Sequence, residues 1–192
     1  MSKQNNAQKK KSANYVKKLT TAGVLCALSV VLMATIRFPI FSQAPFYEME
    51  FSDIPILICA NLLNPVYALV SLLVVCIIQA LTVSATSGII GFMMHLLSSG
   101  LMILVVWIIR RLVKGIKGVI LSDVLGVIVL ILVMIPMNMW MVSEFMGMSV
   151  NGFINSIFLP ICIAFNAIKA STNLIIFSLI EKQVSKIYKK IR

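Results

Sequence analysis

The chain has 192 residues, of which 60% are apolar and 12% charged, and its mean hydropathy is +1.01. A water-soluble domain is roughly 45–50% apolar and about 25% charged, so the composition excludes a soluble globule and a disordered chain. The net charge of +11 comes mainly from basic residues that flank apolar segments. That distribution is typical of cytoplasmic loops of membrane proteins, so we expect a lipid bilayer and no nucleic acid as partner.

Six apolar segments predict an all-α, polytopic membrane protein with six transmembrane helices. The second segment is short, because Asn64 and Pro65 follow it closely and stop a helix there. The predicted helices cover 17–36, 53–63, 66–82, 92–109, 119–142 and 153–180. The predicted connections are 37–52, 83–91, 110–118 and 143–152. The basic residues before the first helix are expected to be disordered or frayed.

The number of helices and the charge distribution predict the same orientation. An even number of spans places both termini on one side of the membrane. Basic clusters near both termini and at 110–117 place that side in the cytoplasm. We therefore predict one transmembrane domain over 17–185, with a basic cytoplasmic tail over 1–16 and another over 186–192.

Lys169 is the residue that most strongly indicates a binding site. It lies midway along the last apolar segment, where a lysine costs roughly 3 kcal/mol and normally faces a cavity or a partner. Asn166 lies three residues before Lys169 and Asn173 lies four residues after it, so the three side chains share one helix face. For Lys169 to snorkel, its ammonium would have to reach an end of the segment about ten residues away, which is too far for a lysine side chain. Ligand contact is therefore favoured over a contact between helices.

Several other features have two interpretations each. Asn138, near the end of the fifth predicted helix, either faces Lys169 or hydrogen-bonds a neighbouring helix. The methionine-rich stretch 134–148 is either packing or an adaptable wall for a flat aromatic ligand. His95, the single histidine, is interpreted as a satisfied interior residue. The long loop 37–52 is either a lid or an interfacial segment.

Small residues on the first predicted helix form a possible contact surface. Gly23 and Ala27 have the small-xxx-small spacing that lets a second helix approach closely, either within the chain or from a partner. The chain has no GxxxxGK[ST] motif, no HExxH motif and no Cys/His cluster. We therefore expect no metal site, no ATP hydrolysis and no catalysis by the chain itself.

Several stretches are similar to a known family. EMEFSDIPILI (48–58) is similar to its SDIP start of the second helix, and FNAIK (165–169) to its FNxxK motif on the sixth. LTTAGVLCALSVV (19–31) is similar to its first-helix AxxxA surface, with Gly23 replacing the first alanine. NPVYALVSLLV and SATSGIIGFMMHLLSSG resemble its third helix and the glycine-rich turn. On these motifs the chain resembles the substrate-binding S components of energy-coupling factor (ECF) vitamin transporters, specifically the riboflavin members.

The resemblance implies capture of riboflavin at the outer face of a bacterial membrane for ATP-driven uptake. It implies an ECF transmembrane coupling subunit and two ATPase subunits as partners, and no cofactor, since riboflavin is bound as the transported substrate. It also implies flavin contacts by the FNxxK asparagine and lysine. The predicted ligand contacts are Asn166, Lys169, Asn138, Gln43, Ala44, Phe41 and Glu48, and the predicted docking positions are Gly23 and Ala27.

Two alternatives remain open from the sequence. The first is an S component for another vitamin. The second is a membrane enzyme that acts on a lipid or isoprenoid, with Glu48, Glu50 and Asp53 as its catalytic carboxylates. No second acidic motif completes a metal pair with these three carboxylates, which makes the enzyme the weaker alternative.

Overall fold

The computed structural model describes residues 2–84, 88–147 and 149–191, and within them the chain forms seven helices and a two-stranded sheet. The helices are α1 (Ser2–Thr35), α2 (Asp53–Leu62), α3 (Pro65–Leu81), α4 (Gly88–Leu112), α5 (Gly115–Met146), α6 (Val150–Ile154) and α7 (Phe158–Ile191). Strands β1 (Phe38–Pro39) and β2 (Glu48–Met49) pair antiparallel in the loop between α1 and α2.

The helices have the composition of a membrane protein. Four stretches of the described helices are long and apolar enough to cross a bilayer: Ser12–Thr35, Gly88–Leu112, Gly115–Met141 and Phe158–Lys190. Helices α2 and α3 are shorter apolar helices of 10 and 17 residues. The all-α membrane fold predicted from composition is therefore confirmed.

The short helix α2 occupies the centre of the bundle. It packs against α1, α3, α4 and α7, and its residues from Asp53 to Ala60 are all buried. Apart from Asp53, this stretch is apolar on every side, as expected for a helix with no lipid- or water-facing surface. Helix α5 packs against both α4 and α7 on one side of α2. The core is therefore shared among all of the long helices.

The junction between α2 and α3 confirms the predicted stop. The side chain of Asn64 caps α3 by accepting a hydrogen bond from the backbone N–H of Tyr67 at 3.1 Å. Pro65 takes the first helical position, where its missing N–H costs nothing. The predicted helix 66–82 is α3 within one residue at each end.

The expectation that the N-terminal residues are disordered or frayed is wrong, because residues 2–16 continue α1 as regular helix. The stretch Ser2–Val16 contains no glycine or proline, and it is rich in lysine, glutamine and alanine, which favour helix. Polarity in this stretch therefore marks where the apolar span ends and not where the helix ends.

The predicted sixth helix, 153–180, is wrong at both ends, since it is divided into α6 and α7 and extends to Ile191. At the break, the Ser156 hydroxyl donates to the Phe153 carbonyl at 2.8 Å and accepts from the Phe158 N–H at 3.2 Å. These side-chain bonds compete with the helical pattern. Pro160 then lies in the first turn of α7, where proline is tolerated.

Three predicted connections are shorter than expected. The first is 110–118, of which only residues 113 and 114 separate α4 from α5. Helix α5 continues to Met146 and ends at Gly147, whose φ of 60° terminates the helix in the left-handed conformation. Helix α4 begins at Gly88, inside the predicted turn 83–91, of which residues 85–87 lie outside the described part of the chain. Residues 88–91 of that predicted turn therefore form the start of α4.

A partly buried ion network joins four helices at the end of the bundle away from the β1–β2 loop. Arg110 of α4 donates to Asp123 of α5 at 2.8 Å and also pairs with Glu181 of α7. The Asn61 amide of α2 donates to Glu181 at 3.0 Å. We call these four residues the opposite-end network. It connects the C-terminal ends of α2 and α4 with the start of α5.

Gly126 allows α5 to approach α4 and α7 closely, because a Cβ there would lie 2.8 Å from Val106 Cγ2 and 3.1 Å from Leu174 Cδ1. Gly126→Val is expected to lower the free energy of unfolding by about 1–2 kcal/mol through overpacking. Thermal unfolding of the purified protein in detergent measures this. Gly23→Val is the matched control, since a Cβ at Gly23 meets no atom within 4 Å. Equal thermal-unfolding midpoints for the two variants would contradict the tight packing at Gly126.

Candidate functional site

A cavity of about 330 Å³ lies beneath the β1–β2 loop, where α3 ends and α4 begins. The middle of α5 and the first half of α7 complete its wall. Its polar lining residues are Arg37, Glu48, Glu50, Gln79, Ser84, His95, Ser98, Ser99, Asn166 and Lys169. Its other lining includes Phe46, Tyr47, Leu130, Met134, Met141 and Phe165. The cavity thus combines an apolar side with a polar side that contains several charges.

Lys169 and Glu50 form an ion pair on the cavity wall. Lys169 Nζ donates to Glu50 Oε1 at 2.8 Å, and the Glu50 side chain is only 3% exposed. The Asn173 amide fixes the loop beside this pair by donating to the Glu50 carbonyl at 3.1 Å. Burial alone would raise the pKa of Glu50, but Lys169 and His95 outweigh it and hold that pKa below its usual range. Glu50 is therefore an ionised partner for Lys169.

His95 lies at the floor of the cavity with acceptors at both ring nitrogens. Its Nδ1 is 2.5 Å from Gln79 Oε1, and its Nε2 is 3.4 Å from Asp53 Oδ1. The same Nε2 lies 3.7 Å from Glu50 Oε1. The prediction of a buried, satisfied histidine is confirmed, and the structure adds that His95 links Asp53 to the Lys169–Glu50 pair.

The loop side of the cavity is held by polar and aromatic contacts. Arg37 pairs with Glu48, and its Nη2 donates to Ser84 Oγ at 2.9 Å. The Tyr47 hydroxyl donates to Asn138 Oδ1 at 2.5 Å, and its ring stacks on Phe165 at a centroid distance of 5.1 Å. These contacts connect the loop to α5 and α7.

The predicted ligand contacts lie in different surroundings. Asn166, Lys169 and Glu48 line the cavity. Asn138 is fully buried, and its amide is engaged by Tyr47 and by the Met134 carbonyl. The remaining predicted contacts, Ala44, Phe41 and Gln43, lie outside the cavity lining: Ala44 and Phe41 belong to a second apolar cluster on the loop side, and Gln43 is exposed. A direct ligand contact at any of the seven residues stays a prediction.

Glu50, Gln79 and His95 are among the lining residues that were not predicted as ligand contacts. A signal for Glu50 was present, because a buried lysine requires an anion and the loop before α2 is acidic. Gln79 and His95 are on different helices, so no sequence spacing connects them. The three carboxylates considered for an enzyme each face a different basic side chain: Glu48 faces Arg37, Glu50 faces Lys169 and Asp53 faces His95.

The predicted docking positions are on the outside of the bundle. Gly23 and Ala27 are exposed on α1, and a Cβ at Gly23 would meet nothing within 4 Å. Val24, Leu28 and Val31 extend the same exposed apolar surface along α1. None of the cavity's lining residues comes from α1, so this surface and the cavity are separate.

Comparison with known proteins identifies the class. Residues 17–181 match the family model of the ECF transporter substrate-specific component. The chain belongs to this family. It is therefore a subunit of a membrane transporter and not an enzyme, and it is a multi-pass protein of the bacterial plasma membrane.

Two relatives show how far the similarity extends. The riboflavin transporter RibU of Staphylococcus aureus (strain TCH60) is 25% identical over 191 residues, which cover 97% of this chain and 100% of that protein. A solved S component of a bacterial ECF transporter superposes with a TM-score of 0.78 at 26% identity. The superposition covers 91% of this chain and 99% of that one. The sequence alignment therefore spans nearly the whole chain, and the superposition spans about nine-tenths of it.

Proposed function

We propose that this chain captures riboflavin at the outer face of the membrane and delivers it for ATP-driven uptake by an ECF transporter. The observation that carries the proposal is that Lys169 and Asn166 meet on the wall of one cavity, in a chain of this family. The similarity to a riboflavin transporter over nearly the whole chain supports the choice of vitamin.

The chemistry of the cavity is suited to riboflavin. Its volume of about 330 Å³ is within the range of roughly 300–1,000 Å³ that is typical of small-molecule sites. The flavin is a flat, mostly apolar tricycle with a polar pyrimidinedione edge, which suits a wall with both aromatic and polar residues. Lys169 would donate a charge-assisted hydrogen bond to a ring carbonyl, and the Asn166 amide would bond an adjacent position. Glu48 and Arg37 would bond the ribityl hydroxyls.

The visible spectrum of the purified protein tests this proposal. Riboflavin carried through purification is expected to colour the protein yellow, and stripped protein is expected to quench riboflavin fluorescence on titration. Unlabelled thiamine, biotin and folate are the competitors that separate riboflavin from other vitamins. A colourless protein that fails to quench riboflavin fluorescence, or one that binds another vitamin more tightly, would overturn the assignment.

We propose six spans, formed by α1 to α5 and α7, with both termini in the cytoplasm. The even number of spans and the exposed basic residues Lys114, Lys117 and Lys189 support this orientation. Residues 17–185 would form the transmembrane domain, and 1–16 and 186–192 would be basic cytoplasmic extensions of α1 and α7. The opposite-end network would then lie near the cytoplasm and the cavity near the outer face.

Single cysteines test this orientation. In a background without the four native cysteines, Ser42→Cys and Ser149→Cys are expected to react with an impermeant thiol reagent on intact cells. Lys117→Cys is expected to react only after the cells are opened. All three positions are exposed, so accessibility within the protein does not bias the comparison. Labelling of position 117 but not position 42 on intact cells would invert the topology.

The proposed partners are an ECF transmembrane coupling subunit and two ATPase subunits. The sequence has no P-loop, so the energy for uptake would come from the partners. Gly23 and Ala27 are the proposed docking positions for the coupling subunit, because small residues on an exposed helix face allow another helix to approach.

A further inference from the structure

The charges at the floor of the cavity point to a role for His95 beyond satisfied burial. We propose that His95 is a positioning residue for Lys169: as an imidazolium it shares the Glu50 carboxylate and so leaves the Lys169 ammonium available to the ligand. The inference rests on the proposed function, in which Lys169 donates to a carbonyl of riboflavin.

The surroundings of the imidazole favour its doubly protonated form. A neutral imidazole has one N–H, and its other nitrogen is an acceptor. Here Nδ1 faces the Gln79 side-chain oxygen at 2.5 Å, and Nε2 faces Asp53 Oδ1 at 3.4 Å. With the Gln79 amide in this orientation, oxygen acceptors face both nitrogens, so only the imidazolium donates on both sides. His95 is 8% exposed, so water does not readily replace either contact.

With both carboxylates ionised, the cluster is balanced in charge only when His95 is protonated. Glu50 and Asp53 are the anions, with side chains 3% and 1% exposed, and Lys169 is the first cation. The second cation is the His95 imidazolium. The other titratable or charged groups that face this cluster are Cys76 on α3 and the Arg37–Glu48 pair on the loop. Burying two carboxylates with one ammonium leaves a net negative charge, which is costly in a low-dielectric interior.

One carboxylate oxygen connects His95 to Lys169. Glu50 Oε1 lies 2.8 Å from Lys169 Nζ and 3.7 Å from His95 Nε2, so both cations share it. When His95 is neutral, the two carboxylates attract the single ammonium more strongly and hold it away from the ligand. The affinity for riboflavin therefore falls when His95 loses its proton.

The charge of His95 can be measured without a ligand, because it is the only histidine in the chain. Protein labelled with ¹³C,¹⁵N-histidine and purified without a histidine tag gives one set of ring signals. We expect ¹⁵N shifts of an imidazolium at pH 7, with both nitrogens protonated. A neutral tautomer at pH 7 would overturn the inference.

Riboflavin titrations from pH 6 to pH 9 test the positioning role. Wild-type affinity is expected to fall as pH rises across the titration seen in the histidine spectrum. His95→Gln is expected to bind about tenfold more weakly at pH 7, with a flat pH profile. Asp53→Asn added to His95→Gln removes the excess anion and is expected to restore affinity to within about threefold of wild type.

The double variant separates charge balance from packing. If His95 acted only through packing, adding Asp53→Asn to His95→Gln would not restore affinity, and that result would overturn the inference. A pH profile in His95→Gln that matches wild type would do so as well. If the wild-type protein fails to quench riboflavin fluorescence, the proposed function fails, while the histidine spectrum still decides the charge of His95.

Discussion

Replacing both Gly23 and Ala27 with tryptophan is expected to abolish riboflavin uptake while leaving riboflavin binding nearly intact. Both residues are exposed on α1, and none of the cavity's lining residues comes from that helix. Two indole rings would hold a partner helix away from α1, because close approach requires small side chains. Uptake by whole cells and copurification with the ATPase subunits measure the loss, and fluorescence titration measures binding.

A matched pair of tryptophans controls for bulk in the bilayer. Ile128 and Leu132 on α5 have the same four-residue spacing, are exposed, and do not line the cavity. Ile128→Trp with Leu132→Trp is expected to preserve both binding and uptake. If binding collapses together with uptake in the α1 variant, the surface is internal packing. If uptake survives both α1 tryptophans, docking uses another face of the bundle.

Lys169→Met is expected to weaken riboflavin binding by about 1.5–3 kcal/mol, or roughly 10- to 150-fold, because a charged hydrogen bond to the ligand is lost. The ion pair with Glu50 complicates the experiment, since removing one partner of a buried pair leaves the other uncompensated and destabilises the protein. Fluorescence titration measures affinity, and thermal unfolding of the same sample measures stability.

Glu50→Gln added to Lys169→Met separates these two effects. The double variant has no unpaired carboxylate at Glu50, so its stability is expected to recover toward wild type. Its affinity is expected to stay low, because the donor to the ligand is still absent. Unchanged affinity in Lys169→Met would remove Lys169 from the binding site.

The helices were largely predictable because apolar runs of bilayer length determine them, and the Asn64-Pro65 stop is local in sequence. The errors came from places where apolar composition and helix formation differ. Residues 2–16 are polar yet helical, and the break near Ser156 depends on side-chain hydrogen bonds inside an apolar run. Hydropathy reports the surroundings of a segment, whereas backbone conformation also depends on propensity and capping.

The candidate site was predictable only in part. Lys169 was identified because burying an ammonium is costly wherever its partner lies. Its partner Glu50 is 119 residues away, and no spacing rule relates the two. The contacts of His95 with Gln79 and Asp53 likewise depend on how three helices pack. A single sequence carries no record of such pairings.

The shortness of α2 has a consequence for how fast the ligand exchanges. Ten residues of helix are about 15 Å long, half of a hydrocarbon core about 30 Å thick. The loop that precedes α2, residues 36–52, is non-helical, and its backbone carbonyls need hydrogen-bond donors from the protein wherever they are buried. Ser29 donates to the Ser52 carbonyl at 2.7 Å, and Asn173 donates to the Glu50 carbonyl at 3.1 Å. Both bonds are buried, so opening the loop breaks contacts that water does not reach, and dissociation is expected to be slow and the residence time long.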